Sequence, residues 1–83
     1  MVVLVQSART LGCALRDGRR DGGLTQQQLA TLSGVAQPTI SNIERGASRV
    51  SLDTLLRILA ALRLELVLQP RESGDLASYW QHR

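Results

Sequence analysis

The stretch Leu24–Gly46, LTQQQLATLSGVAQPTISNIERG, holds two short helical signals separated by a glycine. Thr25 followed three residues later by Gln28 is a capping box, in which each side chain satisfies a backbone N–H of the other residue. Leu29 and Leu32 are expected to face inward, Ala30 is small enough for a close helix crossing, and Gly34 ends the first helix. Val35 lies in the turn. In the second helix Ile40 and Ile43 supply the buried face and Gly46 is the stop. Pro38 falls in the first turn, where its missing N–H had no helical partner in any case. Ala36 stands where a capping Ser or Asn is expected, which leaves the first N–H groups of this helix without a side-chain acceptor. Helices of about two turns are unstable alone in water and need tertiary support.

Working outward, Ser7 is placed to cap an upstream helix in which Ala8, Leu11 and Leu15 recur at helical spacing, ending near Asp21. Gly12 and Gly18 weaken that helix by about 1 kcal/mol each relative to Ala. Cys13 reads as a small buried residue on it. Downstream, Ser51 caps a fourth helix with Asp53 well placed for its dipole. Leu52, Leu55, Leu56, Leu59 and Leu62 mark its apolar stripe. The period then changes to two. Leu62, Leu64, Leu66 and Leu68 alternate with Arg63, Glu65, Val67 and Gln69 up to Pro70, the pattern of a strand. A strand needs a partner for its backbone groups. The N-terminal Val2–Val5 segment is one candidate, and the same strand of a second chain is the other. The reading favoured is a dimer paired through Leu64, Glu65, Leu66, Val67 and Leu68. Residues 1–69 then form one domain, followed by a polar, aperiodic tail over 70–83.

The chain has 83 residues and 43% apolar content with no Phe, so the core is aliphatic and small enough for dimerisation to help. One Cys and one His exclude an internal disulfide and a zinc cluster. No cofactor or metal is expected. No run approaches a membrane span, and the N-terminus lacks the basic region of a signal peptide, so a cytoplasmic location is expected. No carboxylate pair, nucleophile with a base, or Gly-rich phosphate loop occurs, which argues against an enzyme. The formal charge is +3, with all of the excess in residues 1–50, where six Arg face three acids. All the basic side chains but His82 are Arg, which suits bidentate phosphate contacts.

Two short helices joined by a tight turn form a helix-turn-helix pattern. The second presents Gln37, Thr39, Ser41 and Asn42, neutral donors and acceptors where a surface helix usually carries charge. Base edges in the DNA major groove offer matching donors and acceptors together with the thymine methyl. Charge belongs at the flanks, because phosphate contacts position and base contacts specify. Glu44 reads as a structural partner for a nearby Arg rather than as an acid catalyst.

From Leu24 to Gly46 the sequence resembles the lambda-repressor-like (XRE) helix-turn-helix family: Leu-Thr-Gln opens helix 2, Gly-Val forms the turn, Thr-Ile-Ser lies in helix 3, and Ile-Glu-Arg-Gly closes it. LGCALR (Leu11–Arg16) and SLDTLLRILAAL (Ser51–Leu62) are similar to the first and fourth helices, so the likeness covers roughly residues 8–62. It implies a mainly α, four-helix domain in which Ala36, Gln37, Pro38, Thr39, Ser41 and Asn42 meet bases. It also implies that Gln26 binds phosphate and braces Gln37, and that Arg45, Ser48 and Arg49 meet the DNA backbone. Arg16 and Arg19 are further candidates for phosphate. Gly18 departs from the family, which usually has a large apolar residue there, and Ala36 lacks the usual capping oxygen.

The strand in place of a fifth helix, LELVLQP, resembles the HipB-like antitoxins. That likeness implies a homodimer on a palindromic operator, repression of its own operon, and binding of a HipA-like kinase toxin, with Trp80 in a toxin-binding tail. The expected cellular setting is a bacterial cytoplasm, at the nucleoid. Two alternatives remain open: a stand-alone repressor without a toxin, and a protein-interaction module that has lost DNA binding.

Overall fold

The computed structural model describes residues 2–47 and 49–71. It contains four helices, α1 (Ala8–Asp21), α2 (Gln26–Ser33), α3 (Gln37–Glu44) and α4 (Leu52–Leu62). Both expected capping devices form at the first two helices. Thr10 N–H donates to the Ser7 hydroxyl over 3.1 Å, and Gln28 N–H donates to the Thr25 hydroxyl over 3.0 Å while Thr25 N–H donates to Gln28 Oε1 over 2.8 Å. Ser51 caps α4 through Thr54 N–H at 3.1 Å. At α3, Ala36 makes no side-chain cap and Pro38 occupies the first turn, as the sequence indicates.

The core is aliphatic. Leu15 of α1, Leu29 and Ala30 of α2, Val35 of the turn, Ile40 and Ile43 of α3, and Ile58 and Leu59 of α4 are buried together. α1 packs against α3, and α2 packs against both α3 and α4. Because α3 touches two other helices, its remaining face is fixed in direction, which is the service the fold performs for the site.

Several expectations are corrected. Cys13 is exposed, because the buried stripe of α1 runs through Gly12, Leu15 and Arg19, one residue round the helix. Leu32 is 62% exposed rather than inward, since Leu29 and Ala30 already fill the α2 contact. In α4, Leu52 and Leu56 are exposed, while Ile58, which lies outside the leucine stripe, is among the most buried side chains.

Gly12 is a contact and not a defect. A Cβ there would lie 2.3 Å from the Ile43 carbonyl oxygen and 2.8 Å from that of Glu44, so α1 crosses the end of α3 backbone against side-chain-free backbone. Gly46, just past α3 with φ +72°, meets the start of α1 in the same way, its missing Cβ lying 2.8 Å from Arg9 Cα. Gly18, the departure noted in the sequence, leaves a notch that Leu64 fills, with Leu64 Cδ1 3.0 Å from where a Cβ would stand.

α4 ends in a Schellman motif around Arg63, a left-handed residue with φ 58°. Arg63 N–H donates to Ala60 O over 3.1 Å and Leu64 N–H to Leu59 O over 2.9 Å. Beyond Leu64 no strand forms among the described residues, so the expected strand over Leu64–Leu68 is absent from the single chain. The N-terminal segment 2–6 is likewise irregular. The physical reason lies in the sequence argument itself, since extended backbone becomes a strand only when a partner supplies its hydrogen bonds. The two arms instead flank one open apolar groove over α1, lined by Val3, Val5, Leu55, Leu66 and Val67 among others.

Candidate functional site

α2 and α3 meet through Gly34, whose left-handed φ of 73° lets its N–H return to Ala30 O over 2.9 Å and redirects the chain within two residues. Val35 is then buried beneath the turn and Ile40 and Ile43 are drawn into the core, which rolls the other side of α3 outward. On that side Ala36 and Pro38 are exposed, and Gln37, Thr39, Ser41 and Asn42 are half-buried. These are the residues that the family resemblance assigned to base edges, and none of them belongs to the buried core. The uncapped first turn of α3 opens onto the same surface, with its free N–H groups and positive dipole end.

Behind this surface runs a chain of polar side chains. Arg19 of α1 donates from Nε to Glu44 Oε2 over 2.7 Å and from Nη2 to Glu44 Oε1 over 2.9 Å, a bidentate pair. Its Nη1 donates to Leu24 O over 2.8 Å. Gln26 Nε2 donates to Glu44 Oε1 over 3.1 Å, and Gln37 Nε2 donates to Gln26 Oε1 over 2.8 Å. Arg19 and Glu44 are only 8% and 6% exposed. Hydrogen bonding of its guanidinium to Glu44 raises the Arg19 pKa against the opposing effect of burial, and the carboxylate charge adds to the rise. Burial alone would raise the Glu44 carboxyl, but the hydrogen bonds from Arg19 and Gln26 and the charges of Arg19 and Arg16 together hold it below the ordinary glutamate range.

Arg19 therefore corrects the sequence reading. It was expected at phosphates, and its guanidinium is instead enclosed between Glu44 and the Leu24 carbonyl. Arg16 sits half-buried beside the same pair, with its Nε enclosed and unpartnered among the described residues. Arg45 follows α3 and donates from Nη2 to Asn42 Oδ1, so the basic and amide side chains of the α3 end are linked. Arg49 is exposed on the following loop. Ser48 and Trp80 lie outside the described residues.

Sequence reasoning paired Glu44 with an arginine but did not identify Arg19. The signal was present. Glu44 is the single acid between Leu24 and Ala47, and it follows Ile40 by four residues and Ile43 by one, which puts it on the buried stripe. An acid on a buried stripe requires a buried cation.

Residues 15–69 match the helix-turn-helix family HTH_3. Over 52 residues the chain is 48% identical to an uncharacterized HTH-type transcriptional regulator of Haemophilus influenzae, an alignment covering 63% of this chain and 53% of that protein. The chain thus spans about half the length of that relative. It is 36% identical over 64 residues to antitoxin HipB of Escherichia coli K12, covering 77% of this chain and 73% of HipB. Two solved structures match with 32% and 33% identity: a complex of a HipB variant with an O2 20mer, at a TM-score of 0.78 over 87% of this chain and 100% of that one, and a HipA-HipB-O2-O3 complex, at 0.75 over 83% and 97%.

Proposed function

The chain belongs to the helix-turn-helix family HTH_3, and from that premise we propose that it is a sequence-specific DNA-binding repressor that acts as a dimeric antitoxin. The observation that carries this reading is the α3 surface: uncharged amides and hydroxyls at an uncapped helix start, held outward by a buried opposite face and bordered by arginines. In this reading Ala36, Gln37, Pro38, Thr39, Ser41 and Asn42 meet base edges in a major groove. Gln26, Arg45, Ser48, Arg49 and Arg16 meet the sugar-phosphate backbone, where a guanidinium or amide fixes register without reading sequence. Half-buried amides are suited to this work because bidentate contact with a base edge replaces their water without an ionic desolvation cost.

A two-fold dimer would place two α3 helices in successive major grooves about 34 Å apart, on a palindromic site. Leu64–Leu68 would supply the pairing between subunits, and the exposed apolar side chains of that arm, Leu66, Val67 and Leu68, support this. The likeness to antitoxin HipB and to the HipA-HipB complex supports a HipA-like kinase toxin as second partner, with a bacterial cytoplasmic setting at the nucleoid and regulation of the shared operon.

The test is a titration of the duplex upstream of the protein's own gene at two salt concentrations. Affinity should fall steeply with salt as counterions are released. Gln37→Ala should relax sequence choice at a cost of about 1–3 kcal/mol. Arg49→Ala should weaken all sequences alike and lower the salt slope by about 1. Equal behaviour of the two variants across operator sequences would refute the division of roles, and the absence of any salt-dependent binding would refute the reading as a whole.

A further inference from the structure

We infer that Arg45 is a positioning residue for base choice: its guanidinium holds the Asn42 side-chain amide with the N–H groups turned away from it, so that Asn42 selects a base presenting acceptors and rejects one presenting a donor. The inference rests on the reading that Asn42 meets a base edge, and it gives Arg45 a role beyond the phosphate contact proposed above.

α3 closes in a fixed turn. Gly46, at φ +72°, donates its N–H to Ile43 O over 2.9 Å, and Ala47 N–H donates to Asn42 O over 3.2 Å, a Schellman arrangement. Gly46 is in turn seated against the start of α1, so the turn cannot drift. The backbone of Arg45 is thereby held at the end of the helix, with its own N–H returned to Ser41 O over 3.2 Å. Arg45 follows Asn42 by three residues, a spacing that brings two side chains onto one helix face. There Arg45 Nη2 donates to Asn42 Oδ1.

A side-chain amide has two orientations of nearly equal shape that exchange a donor for an acceptor. A guanidinium only donates, so the reversed amide would set N–H groups against N–H groups. Asn42 therefore turns Oδ1 to Arg45 and Nδ2 away from it. Among the described residues Nδ2 makes no hydrogen bond, so its N–H groups stay available. The guanidinium keeps further N–H donors for a phosphate. In the major groove guanine offers two acceptors, O6 and N7, whereas cytosine offers the N4 amino donor. Donors leading from Asn42 pair with the first and oppose the second. Without the guanidinium the amide is free to turn, and its oxygen can accept from cytosine instead.

The full chain is tested against a pool of randomised DNA duplexes, with relative affinities obtained by selection and sequencing. Asn42→Ala first identifies the base pair at which discrimination depends on that amide. There the parent should favour G·C, with guanine toward Asn42, over the reversed C·G. Arg45→Met should lower this ratio about tenfold, the scale of one base contact. A contact to phosphate alone would weaken both sites equally and leave the ratio unchanged. Asn42→Asp, which replaces the leading donors by an acceptor, should invert the ratio in favour of C·G. An Arg45→Met protein that keeps the parent ratio, a parent that favours C·G, or an Asn42→Asp protein that still favours G·C would overturn the inference while leaving base reading by Asn42 intact. An Asn42→Ala protein with unchanged discrimination at every position would overturn it differently, by removing the base-reading premise itself.

Discussion

Glu44 is a carboxylate kept ionised where water barely reaches. Its two oxygens receive three hydrogen bonds, two from Arg19 and one from Gln26, and these outweigh the cost of burial. The consequence is a definite pH dependence. A carboxyl whose folded pKa lies below its unfolded value adds stability that is fully present above the unfolded value, about pH 4.3 for glutamate. The contribution is lost as pH falls through the folded value, because the unfolded chain then binds the proton first. Thermal unfolding followed by circular dichroism should therefore show a midpoint that drops as pH falls below about 4.3, and Glu44→Gln should flatten that part of the profile. Equal slopes for the two proteins would mean that Glu44 is not ionised within the pair. Removing Arg19 is a harsher change, since it leaves a buried charge uncompensated, a loss of about 3–5 kcal/mol.

At the scale of elements, the fold depends on how closely α1 approaches the end of α3. Propensity alone says that Gly12→Ala should stabilise a helix by about 1 kcal/mol. The added methyl would instead stand 2.3 Å from the Ile43 carbonyl oxygen, and backbone cannot swing aside as a side-chain end can. Overpacking of this kind costs about 1–3 kcal/mol or more, so the net expectation is a loss of stability and a fall in melting temperature of several degrees. A melting temperature at or above the parent's would show that the helices can separate freely. The same contact marks where sequence reading works and where it stops. The helix limits, the Ser7, Thr25 and Ser51 caps, and the buried places of Leu29, Ile40 and Ile43 were legible, because capping and periodicity are local. The outward face of α3 followed from the same periodicity. What was not legible depends on neighbours distant in sequence: Gly12 looks like a weakness until α3 is laid across it, Cys13 and Leu32 look buried until the stripe is shared out, and Arg19 looks like a free cation until Glu44 arrives from 25 residues away.

At the scale of the whole molecule, the chain exposes much apolar surface in one region. Val2, Val3, Leu4 and Val5 on one arm and Leu64, Leu66, Val67 and Leu68 on the other are all exposed, with Leu68 at 92%. Among the described residues Val2–Val5 and residues 65–68 lack backbone partners, while the Schellman turn at Arg63 and the seat of Leu64 over Gly18 fix where the second arm leaves the helices. A small domain that shows such a surface would gain by covering it with a second copy, and the proposed two-fold pairing of identical arms would supply both the missing hydrogen bonds and the apolar contact. Pairing would also couple two DNA-reading surfaces, so that the second engages at high effective concentration once the first is bound. Glu65→Pro tests this. Proline removes the N–H that a paired strand requires and leaves the four-helix core untouched, because Glu65 lies outside it. By sedimentation velocity the parent should be a dimer and the variant a monomer with an unchanged helical circular dichroism signal. Operator affinity should fall by about 10²-fold or more as avidity is lost. A variant that stays dimeric would place the subunit interface elsewhere on the molecule, and the arms would then need another partner for their backbone.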